Sequence, residues 1–389
     1  MSLLLGAIAD DFTGGSDLAG MLAERGVATV QTFGVPDAET VDLIGRGGYQ
    51  SAVVCLKSRS IPAADACRIS VEALDALSAL SPRQIQFKYC STFDSTPAGN
   101  IGPVADVLMS RLGAVFTVAM PALPVNGRTQ YLGHLFVNGV PLSESPLRHH
   151  PLNPMTDSNL VRWLQQQTRR EAGLIPLGSA ARSGEIALVD AIRDADLYAA
   201  AAAFEGLELV TGGSGWGIAL PEVWRSAGLL RPASLEGRAI GAGAVAVLSG
   251  SCSVATLRQL DYLKSRGVEV TQVGPEDRAE DVDGLVIASS APPESQSRDP
   301  ESPRRIEKLM GELARRLVFE QGVRRLIVAG GETAGAVVES LGIRAVEITG
   351  ILDPGVPSLR TLSEPPVALA LKSGNFGAVD FFVKAMERI

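Results

Sequence analysis

The stretch Leu5-Gly6-Ala7-Ile8-Ala9-Asp10-Asp11-Phe12-Thr13-Gly14-Gly15-Ser16-Asp17 places two adjacent carboxylates and two glycines directly after an apolar run. The apolar residues 3–9 predict a buried strand, and an amphipathic pattern predicts a helix at 16–25. Residues 10–15 then form the turn at the carboxyl end of the first strand, where open α/β sheets bind ligands. Adjacent side chains of extended backbone point in opposite directions, so we expect Asp10 and Asp11 to have different roles.

A purely structural interpretation of this turn stays open. Asp and Thr are common helix caps, so the acidic pair and Thr13 could serve only to start the helix. The functional interpretation is that Gly14 and Gly15 let backbone approach a ligand, while the helix N-terminus favours an anion.

The rest of the chain alternates apolar runs of strand length with amphipathic stretches of helix length. This alternation, over 389 residues, predicts an α/β protein of two domains, each a mainly parallel sheet flanked by helices. The Pro- and Gly-containing stretch 229–238 predicts the boundary, which gives a first domain at 1–232 and a second at 240–389. The predicted strands are 3–9, 28–33, 51–57, 84–90, 114–120, 185–189, 207–211, 244–249, 268–273, 284–289, 324–329, 343–348 and 366–371. The predicted helices are 16–25, 63–80, 101–112, 157–169, 191–204, 253–266, 301–321, 333–341 and 376–388.

Composition argues against several function classes. A formal net charge of −8 without a cluster of Lys or Arg disfavours nucleic acid or an anionic membrane as partner. The four cysteines form no CxxC pair, so we expect no disulfide framework or zinc site and a cytoplasmic protein. The histidines lack the spacing of metal ligands and are expected on the surface or in a substrate loop. They are His134, His149 and His150.

Four predicted strands of the first domain end in polar side chains. Because parallel strands end at one edge of a sheet, we expect these side chains to converge. Arg binds a carboxylate as a two-pronged donor, and hydroxyls and Asp match sugar hydroxyls, so the set suits a small polyhydroxylated acid. Each residue taken alone could instead be a turn former. The set is Asp10, Asp11, Arg59, Ser91, Asp94, Ser95, Asn126 and Arg128.

Three turns rich in small residues follow strands of the second domain, at 249–253, 330–335 and 372–377. Backbone N–H groups of such turns bind anions, as the phosphates of a nucleotide require, although each turn alone could reflect tight packing. The chain has no Walker A motif, so it is not a P-loop enzyme. The glycine-rich run 212–217 is only a weak dinucleotide fingerprint, because no helix is expected directly after it.

Five of these motifs, in the same order, resemble the four-carbon acid sugar kinase family, and the similarity covers nearly the whole chain. They are Ala9-Asp10-Asp11-Phe12-Thr13-Gly14, Phe87-Lys88-Tyr89-Cys90-Ser91-Thr92-Phe93-Asp94-Ser95-Thr96, Ser249-Gly250-Ser251-Cys252-Ser253, Gly330-Gly331-Glu332-Thr333-Ala334-Gly335 and Leu371-Lys372-Ser373-Gly374-Asn375-Phe376-Gly377. The second motif, with Arg148-His149-His150-Pro151-Leu152 downstream, resembles the 3-oxo-tetronate kinase branch. Threonate and erythronate kinases tend to carry an Arg before the glycine that corresponds to Gly99, and this chain has Ala98 there.

The resemblance implies a substrate domain followed by an ATP domain, with the active site in the cleft between them. It implies a phosphotransferase with an alcohol acceptor, which uses ATP and Mg²⁺ to phosphorylate the terminal O4 hydroxyl of 3-oxo-tetronate. The partners would be the acid sugar and ATP, and a homodimer is one option for the oligomeric state. The nucleotide positions of the family carry over to Ser251, Gly331, Glu332, Thr333, Ala334 and Gly374.

Within this interpretation we expect Asp11 to orient or deprotonate the attacking hydroxyl, although the sequence does not separate it from Asp10. Arg59 is expected to bind the substrate carboxylate, with Arg128 as the alternative. The substrate hydroxyls are expected to contact Asp10, Ser91, Asp94 and Ser95. No metal ligand is assigned, because Glu332 or Asp353 would reach Mg²⁺ only through water.

Three alternatives remain at this point. The first is a kinase for D-threonate or erythronate, which keeps the fold and the chemistry. The second is a sugar-acid sensor without catalysis, which three anion-binding turns disfavour. The third is a nicotinamide-dependent oxidoreductase, which lacks the expected fingerprint.

Overall fold

In a computed structural model of the protein, the described residues are 2–150, 152–179, 181, 183–231, 243–290 and 299–389. The chain divides into two units, Met1–Ala233 and Ser234–Ile389. The predicted boundary stretch, 229–238, lies outside the described residues from residue 232 onward. The exact boundary therefore stays a prediction.

The first unit contains a parallel sheet with helices from the intervening segments. Its strands are β1 (Leu5–Ala9), β2 (Thr29–Phe33), β3 (Ser51–Cys55), β4 (Gln84–Lys88), β5 (Thr117–Met120), β9 (Ala172–Ile175), β10 (Ile186–Val189) and β11 (Leu209–Gly212). They lie in the order β2-β3-β1-β4-β11-β5-β10-β9. A second, antiparallel sheet contains β6 (Arg128–Tyr131), β7 (His134–Val137) and β8 (Val140–Pro141). The helices are α1 (Phe12–Glu24), α2 (Ala38–Arg46), α3 (Ala63–Ser78), α4 (Ile101–Leu112), α5 (Leu160–Gln165), α6 (Asp194–Phe204) and α7 (Gly215–Ser226).

The central strands of this sheet form because their residues can be buried on both faces. All five residues of β1, β3 and β4 are buried, as expected for parallel strands covered by helices. β1 pairs with β3 and β4, and Ala9 lies opposite both Cys55 and Lys88. The residues that follow these three strands therefore emerge together at one edge of the sheet.

The second unit contains a mixed sheet. Its strands are β12 (Val245–Ser249), β13 (Thr271–Gln272), β14 (Val286–Ala288), β15 (Arg325–Ala329), β16 (Ala345–Asp353), β17 (Val356–Thr361) and β18 (Ala368–Lys372). They lie in the order β13-β14-β12-β15-β18-β17-β16, with β17 antiparallel to both of its neighbours. The helices are α8 (Val254–Ser265), α9 (Ser302–Arg315), α10 (Gly331–Ser340) and α11 (Phe381–Arg388), and a π-helical turn, Arg316–Glu320, follows α9. The core packs the inner sheet residues Val247, Ile327 and Ala370 against Phe381 and Phe382 of α11.

The predicted class, α/β with mainly parallel sheets flanked by helices, is confirmed in both units. The predicted start of the first helix is wrong, because α1 begins at Phe12 and not at residue 16. The prediction that no helix follows the 212–217 glycine run is also wrong, because α7 begins at Gly215. Its glycines and Pro221 disfavour a helix locally, but burial of Trp216 and Trp224 outweighs that propensity. The prediction missed α2, β6 to β9 and β17, and it made α5 and α11 too long.

Candidate active site

Asp10 lies where β1 ends, and backbone hydrogen bonds to both neighbouring strands fix it there. Its N–H donates to the Lys88 carbonyl (3.0 Å), and its own carbonyl accepts from the N–H of Ser58 (2.9 Å). The side chain is 4% exposed. Both of its carboxylate oxygens accept from Arg59, from Nε at 2.9 Å and from Nη2 at 2.8 Å, which is the strong bidentate geometry.

Arg59 brings together three carboxylates from two segments that are distant in sequence. Its Nη2 also donates to Asp11 (2.7 Å), and its Nη1 donates to Asp94 (3.3 Å). We call Asp10, Asp11, Arg59 and Asp94 the Arg59 cluster. These contacts engage four of the five N–H donors of the guanidinium, so one Nη1 hydrogen stays without a partner in the cluster. Burial opposes the charge of Arg59, but the hydrogen bonds and charge of Asp10, together with the charge of Asp11, outweigh it and raise the pKa of Arg59.

The two adjacent aspartates differ in environment, although one nitrogen of Arg59 contacts both of them, and their different roles stay a prediction. Burial raises the pKa of Asp10, and the hydrogen bonds and charge of Arg59 offset that effect only in part. The Asp11 side chain is 29% exposed, and Arg59 contacts only its Oδ1. Asp11 occupies the N-cap position of α1 but makes no side-chain capping bond, so the purely structural interpretation of this residue is not supported. Asp11 is the carboxylate of the pair that a ligand can reach.

Lys88 belongs to this site, although the sequence analysis did not single it out. It ends β4, is 2% exposed, and donates from Nζ to the Tyr89 carbonyl (2.9 Å). A Cβ at position 14 would lie 2.7 Å from Lys88 Nζ and 2.3 Å from Asp11 Oδ1, so a larger residue would displace both charged groups. The signal for Lys88 is a lysine directly ending a buried strand, where lysine is rarely fully buried.

The hydroxyl-rich loop after β4 is held mostly by its own packing. Ser95 is 3% exposed, and its hydroxyl donates to the Phe93 carbonyl while accepting from Trp163 (3.3 Å) and Gln167 (2.9 Å). This environment favours a positioning role for Ser95 over contact with a substrate. Asn100 ties the loop to the Arg59 segment by donating to the carbonyls of Ser58 and Ile61, both at 2.8 Å.

Ser91 and Arg128, two further predicted residues, have different surroundings. Ser91 is half-buried and close to the β11–α7 turn, since a Cβ at Gly213 would lie 3.4 Å from its Cα. Arg128 begins β6 and donates to the carbonyl of Asn126. Over the described part of the chain, no acidic side chain forms an ion pair with Arg128, so the structure does not bring it into the Arg59 cluster.

The histidines make local contacts. His134 Nδ1 lies 3.0 Å from the Leu132 carbonyl, and His150 Nδ1 accepts from the N–H of Asn153 (3.1 Å). Across the described ranges, no three His, Cys, Asp or Glu side chains are grouped so that they could hold a metal ion. None of the helices in those ranges combines the length and apolar character needed to span a lipid bilayer.

In the second unit, the three small-residue turns lie side by side. β12, β15 and β18 are adjacent and in register, with Ser249 opposite Ala329 and Ala329 opposite Lys372. The N–H of Ser251 donates to the Ala329 carbonyl (3.2 Å), and the N–H of Gly330 donates to the Lys372 carbonyl (2.9 Å). All three turns therefore start at the same level of one sheet edge.

The second of these turns leaves backbone donors available for an anion. α10 begins at Gly331 without a side-chain capping bond, whereas Ser253 caps α8 by accepting from Thr256 N. A Cβ at Gly331 would meet no atom within 4 Å, and Glu332 beside it is exposed. The N-terminus of α10 therefore offers unpaired N–H groups toward open space, as anion binding requires.

The first and third turns are joined by hydroxyl groups. Thr256 Oγ1 lies 3.1 Å from Ser251 Oγ and 2.9 Å from the Gly374 carbonyl. A Cβ at Gly374 would lie 2.6 Å from Ser251 Oγ, so a larger residue would displace the Ser251 hydroxyl. Lys372, which the sequence analysis left out of the site, is 1% exposed behind them, and burial lowers its pKa to about 8.

Two domain models match the chain, the "Sugar-binding N-terminal domain" over residues 5–220 and the "Nucleotide-binding C-terminal domain" over residues 246–382. Curated 3-oxo-tetronate kinases from Pseudomonas savastanoi pv. phaseolicola and Cupriavidus necator are each 44% identical to it, over 99% of this chain and 97% of theirs. The 3-oxo-tetronate kinase from Salmonella typhimurium is 40% identical over 99% of both chains.

Solved structures share the fold over the same length. One from Salmonella typhimurium LT2 has a TM-score of 0.89 at 38% identity and covers 99% of both chains. The Haemophilus influenzae protein HI1011 has a TM-score of 0.84 at 36% identity, covering 98% of this chain and 99% of that one. The similarity thus extends over both units.

Proposed function

Because the chain belongs to the four-carbon acid sugar kinase family, we propose that it is an ATP-dependent kinase that phosphorylates the terminal O4 hydroxyl of 3-oxo-tetronate, giving 3-oxo-tetronate 4-phosphate. The observation that carries this proposal is the 44% identity to curated 3-oxo-tetronate kinases along 99% of the chain. A D-threonate or erythronate 4-kinase is the alternative, and Ala98 in place of an arginine disfavours it.

The Arg59 cluster is the proposed acid-sugar site. Asp11 takes the proton of the attacking hydroxyl, because it is the partly exposed carboxylate and Arg59 contacts only its Oδ1. Both oxygens of Asp10 are held by Arg59, so Asp10 orients the guanidinium. Asp94 and Ser91 contact the substrate hydroxyls, and Ser95 holds the shape of their loop.

Arg59 is also the proposed partner of the substrate carboxylate. The second Nη1 hydrogen, which makes no hydrogen bond to the aspartates of the cluster, would bind it. Its side chain is 21% exposed, which gives a ligand access to it. The buried ammonium group of Lys88 adds positive charge beside the same aspartates. Arg128 is the weaker candidate, because its guanidinium bonds a backbone carbonyl within the β6–β8 sheet segment.

The three turns of the second unit are the proposed nucleotide site. Backbone N–H groups at the start of α10 bind phosphate oxygens, and the Ser251 hydroxyl contributes a further polar contact. The chemistry is in-line phosphoryl transfer, in which the protein mainly positions groups and stabilises charge. The residues proposed to contact the nucleotide are Ser251, Gly331, Glu332, Thr333, Ala334 and Gly374.

Mg²⁺ fits this chain as a companion of the nucleotide. The aspartates of the Arg59 cluster already pair with a guanidinium. The described residues contain no group of three His, Cys, Asp or Glu side chains that could hold a metal ion. Mg²⁺ commonly keeps several waters and binds substrate phosphates. Glu332, exposed in the first turn of α10, would hold it through water, and the ion would neutralise phosphate charge. A cytoplasmic location and a homodimer also remain predictions.

The test is ATP consumption by the purified protein with Mg²⁺ and a panel of 3-oxo-tetronates, threonates and erythronates. We expect turnover with a 3-oxo-tetronate far above that with the other acids. Turnover only with a threonate or erythronate would keep the chemistry and change the substrate. Stabilisation by ATP without turnover of any of these acids would contradict the proposed substrate and mean that the first unit recognises something else. The absence of both stabilisation by ATP and turnover would favour a sugar-acid sensor.

A further inference from the structure

Lys372 ends β18 and carries a buried ammonium group. Its side chain is 1% exposed. Nζ donates to Thr256 Oγ1 (2.9 Å) and to the carbonyls of Ser373 (3.1 Å) and Gly374 (3.0 Å). An ammonium group has three donors, so all of them are used on uncharged partners.

No carboxylate neutralises this charge within the described residues. Titratable groups of the surrounding elements include Cys252 of the first turn, Arg258 of α8, Glu332 of α10, Asp353 of β16, Asp380 before α11 and Lys384 of α11. Asp380 pairs with Lys384 (2.9 Å), and Asp353 accepts from the N–H of Ala378 (2.6 Å). Arg325 of β15 and Arg360 of β17 lie opposite Ala368, at the far end of β18. A buried cation without an anion is costly, and desolvation alone accounts for its lowered pKa, about 8.

Lys372 lies behind the first and third turns of the proposed nucleotide site. Its three bonds support the Gly374 turn from behind, and Thr256 connects the same ammonium group to Ser251, 3.1 Å away. Ser253 Oγ also donates to the Gly374 carbonyl, at 2.5 Å. The charge therefore lies directly behind two positions proposed to contact the nucleotide.

We propose that Lys372 is a positioning residue whose buried positive charge is neutralised by the phosphates of the bound nucleotide, so that tight binding requires Lys372 to be protonated. The inference rests on the proposed function to the extent that the nucleotide binds at Ser251 and Gly374. Lys372 does not touch the ligand. It acts by holding the carbonyls of Ser373 and Gly374 and through its charge.

The direction of the pH dependence follows from linkage. In the free protein the pKa of Lys372 is about 8. Phosphate charges favour the ammonium form and raise that pKa in the complex, so binding takes up a proton when the pH is above about 8. The affinity for ADP should therefore fall about tenfold between pH 7 and pH 9. The ADP phosphates do not titrate in this range, since the relevant pKa is about 6.

Isothermal titration calorimetry of the full chain with ADP tests the proposal at pH 7, 8 and 9, in pairs of buffers that differ in ionisation enthalpy. We expect the dissociation constant of the unaltered protein to rise about tenfold from pH 7 to pH 9. Proton uptake should approach one per ADP at pH 9. Lys372→Met should bind ADP about tenfold more weakly at pH 7, without the pH dependence or the proton uptake.

The matched control is Lys308→Met, which makes the same change at a side chain that is 78% exposed on α9. Lys308→Met should keep both the pH dependence of the dissociation constant for ADP and the proton uptake. A constant dissociation constant without proton uptake in the unaltered protein would overturn the proposal, and so would an unchanged pH slope in Lys372→Met. If that variant does not fold, a dissociation constant that stays constant with pH in the unaltered protein still overturns the proposal. No ADP binding at any pH would instead contradict the proposed function itself.

Discussion

At the scale of single residues, one arginine organises the candidate substrate site. Arg59 contacts Asp10, Asp11 and Asp94, three carboxylates from two other segments of the chain. The rule that parallel strands end at one edge of the sheet predicted this convergence from sequence. The same rule did not identify Lys88 and Lys372, because a fully buried lysine runs against the usual preference of lysine for solvent.

The first residue-scale prediction concerns catalysis by Asp11. We expect Asp11→Asn to lower kcat about 10²- to 10⁴-fold with little change in KM for the acid sugar, because the amide cannot take the hydroxyl proton. Steady-state kinetics measure both constants. Asp75→Asn is the matched control, since this aspartate is half exposed on α3 and pairs with Arg111. A large rise in KM at unchanged kcat would contradict the assignment and make Asp11 a binding group.

The second residue-scale prediction concerns the stability of the Arg59 cluster. Replacing Arg59 by Met leaves three neighbouring carboxylates without their shared cation, which should cost about 3 kcal/mol at pH 7. Lowering the pH toward 5 should reduce the loss, because burial raises the pKa of Asp10 and protonated Asp10 no longer repels the neighbouring carboxylates. Urea unfolding at both pH values measures the difference from the unaltered protein. An equal loss at pH 5 and pH 7 would mean that lost packing, and not charge, sets the cost.

At the scale of elements, the local sequence pattern predicts the ends of some helices, whereas the ends of others depend on tertiary contacts. Helix α4 was predicted with its observed ends, since its apolar periodicity stops at Gly113, which has φ of 71°. Helix α1 was predicted to start too late, because Gly14 and Gly15 look like loop residues. A Cβ at Gly15 would lie 2.1 Å from Cys55 Sγ, and that close packing against β3 is not visible in sequence. The short strands β6 to β8 escaped prediction for lack of a long apolar run.

The element-scale prediction concerns the contact between the first and third nucleotide turns. Gly374→Ala should raise KM for ATP about tenfold or more, because its Cβ would lie 2.6 Å from Ser251 Oγ and displace that hydroxyl from the proposed nucleotide site. KM for the acid sugar should change little. Gly206→Ala is the matched control, since its Cβ would meet no atom within 4 Å. An unchanged KM for ATP in Gly374→Ala would remove this turn from the proposed nucleotide site.

At the scale of the whole molecule, the proposed acid-sugar site and the proposed nucleotide site belong to different units. The Arg59 cluster belongs to Met1–Ala233, and the three turns belong to Ser234–Ile389. The order of the motifs along the sequence predicts this division. The proposed choice among four-carbon acids rests on a finer difference, Ala98 in the loop after β4. A sequence pattern identifies this difference but does not define how a substrate fits against it.

The central claim is phosphorylation of 3-oxo-tetronate at O4, and proton-coupled ³¹P NMR of the product tests it most directly. The protein would be incubated with 3-oxo-tetronate, ATP and Mg²⁺, and the new phosphate ester observed. O4 is on a methylene carbon, so the account predicts a phosphomonoester signal split into a triplet by the two C4 protons. A doublet would show attachment at the C2 hydroxyl, and inorganic phosphate without any ester would show ATP hydrolysis. Either of these results would contradict the account.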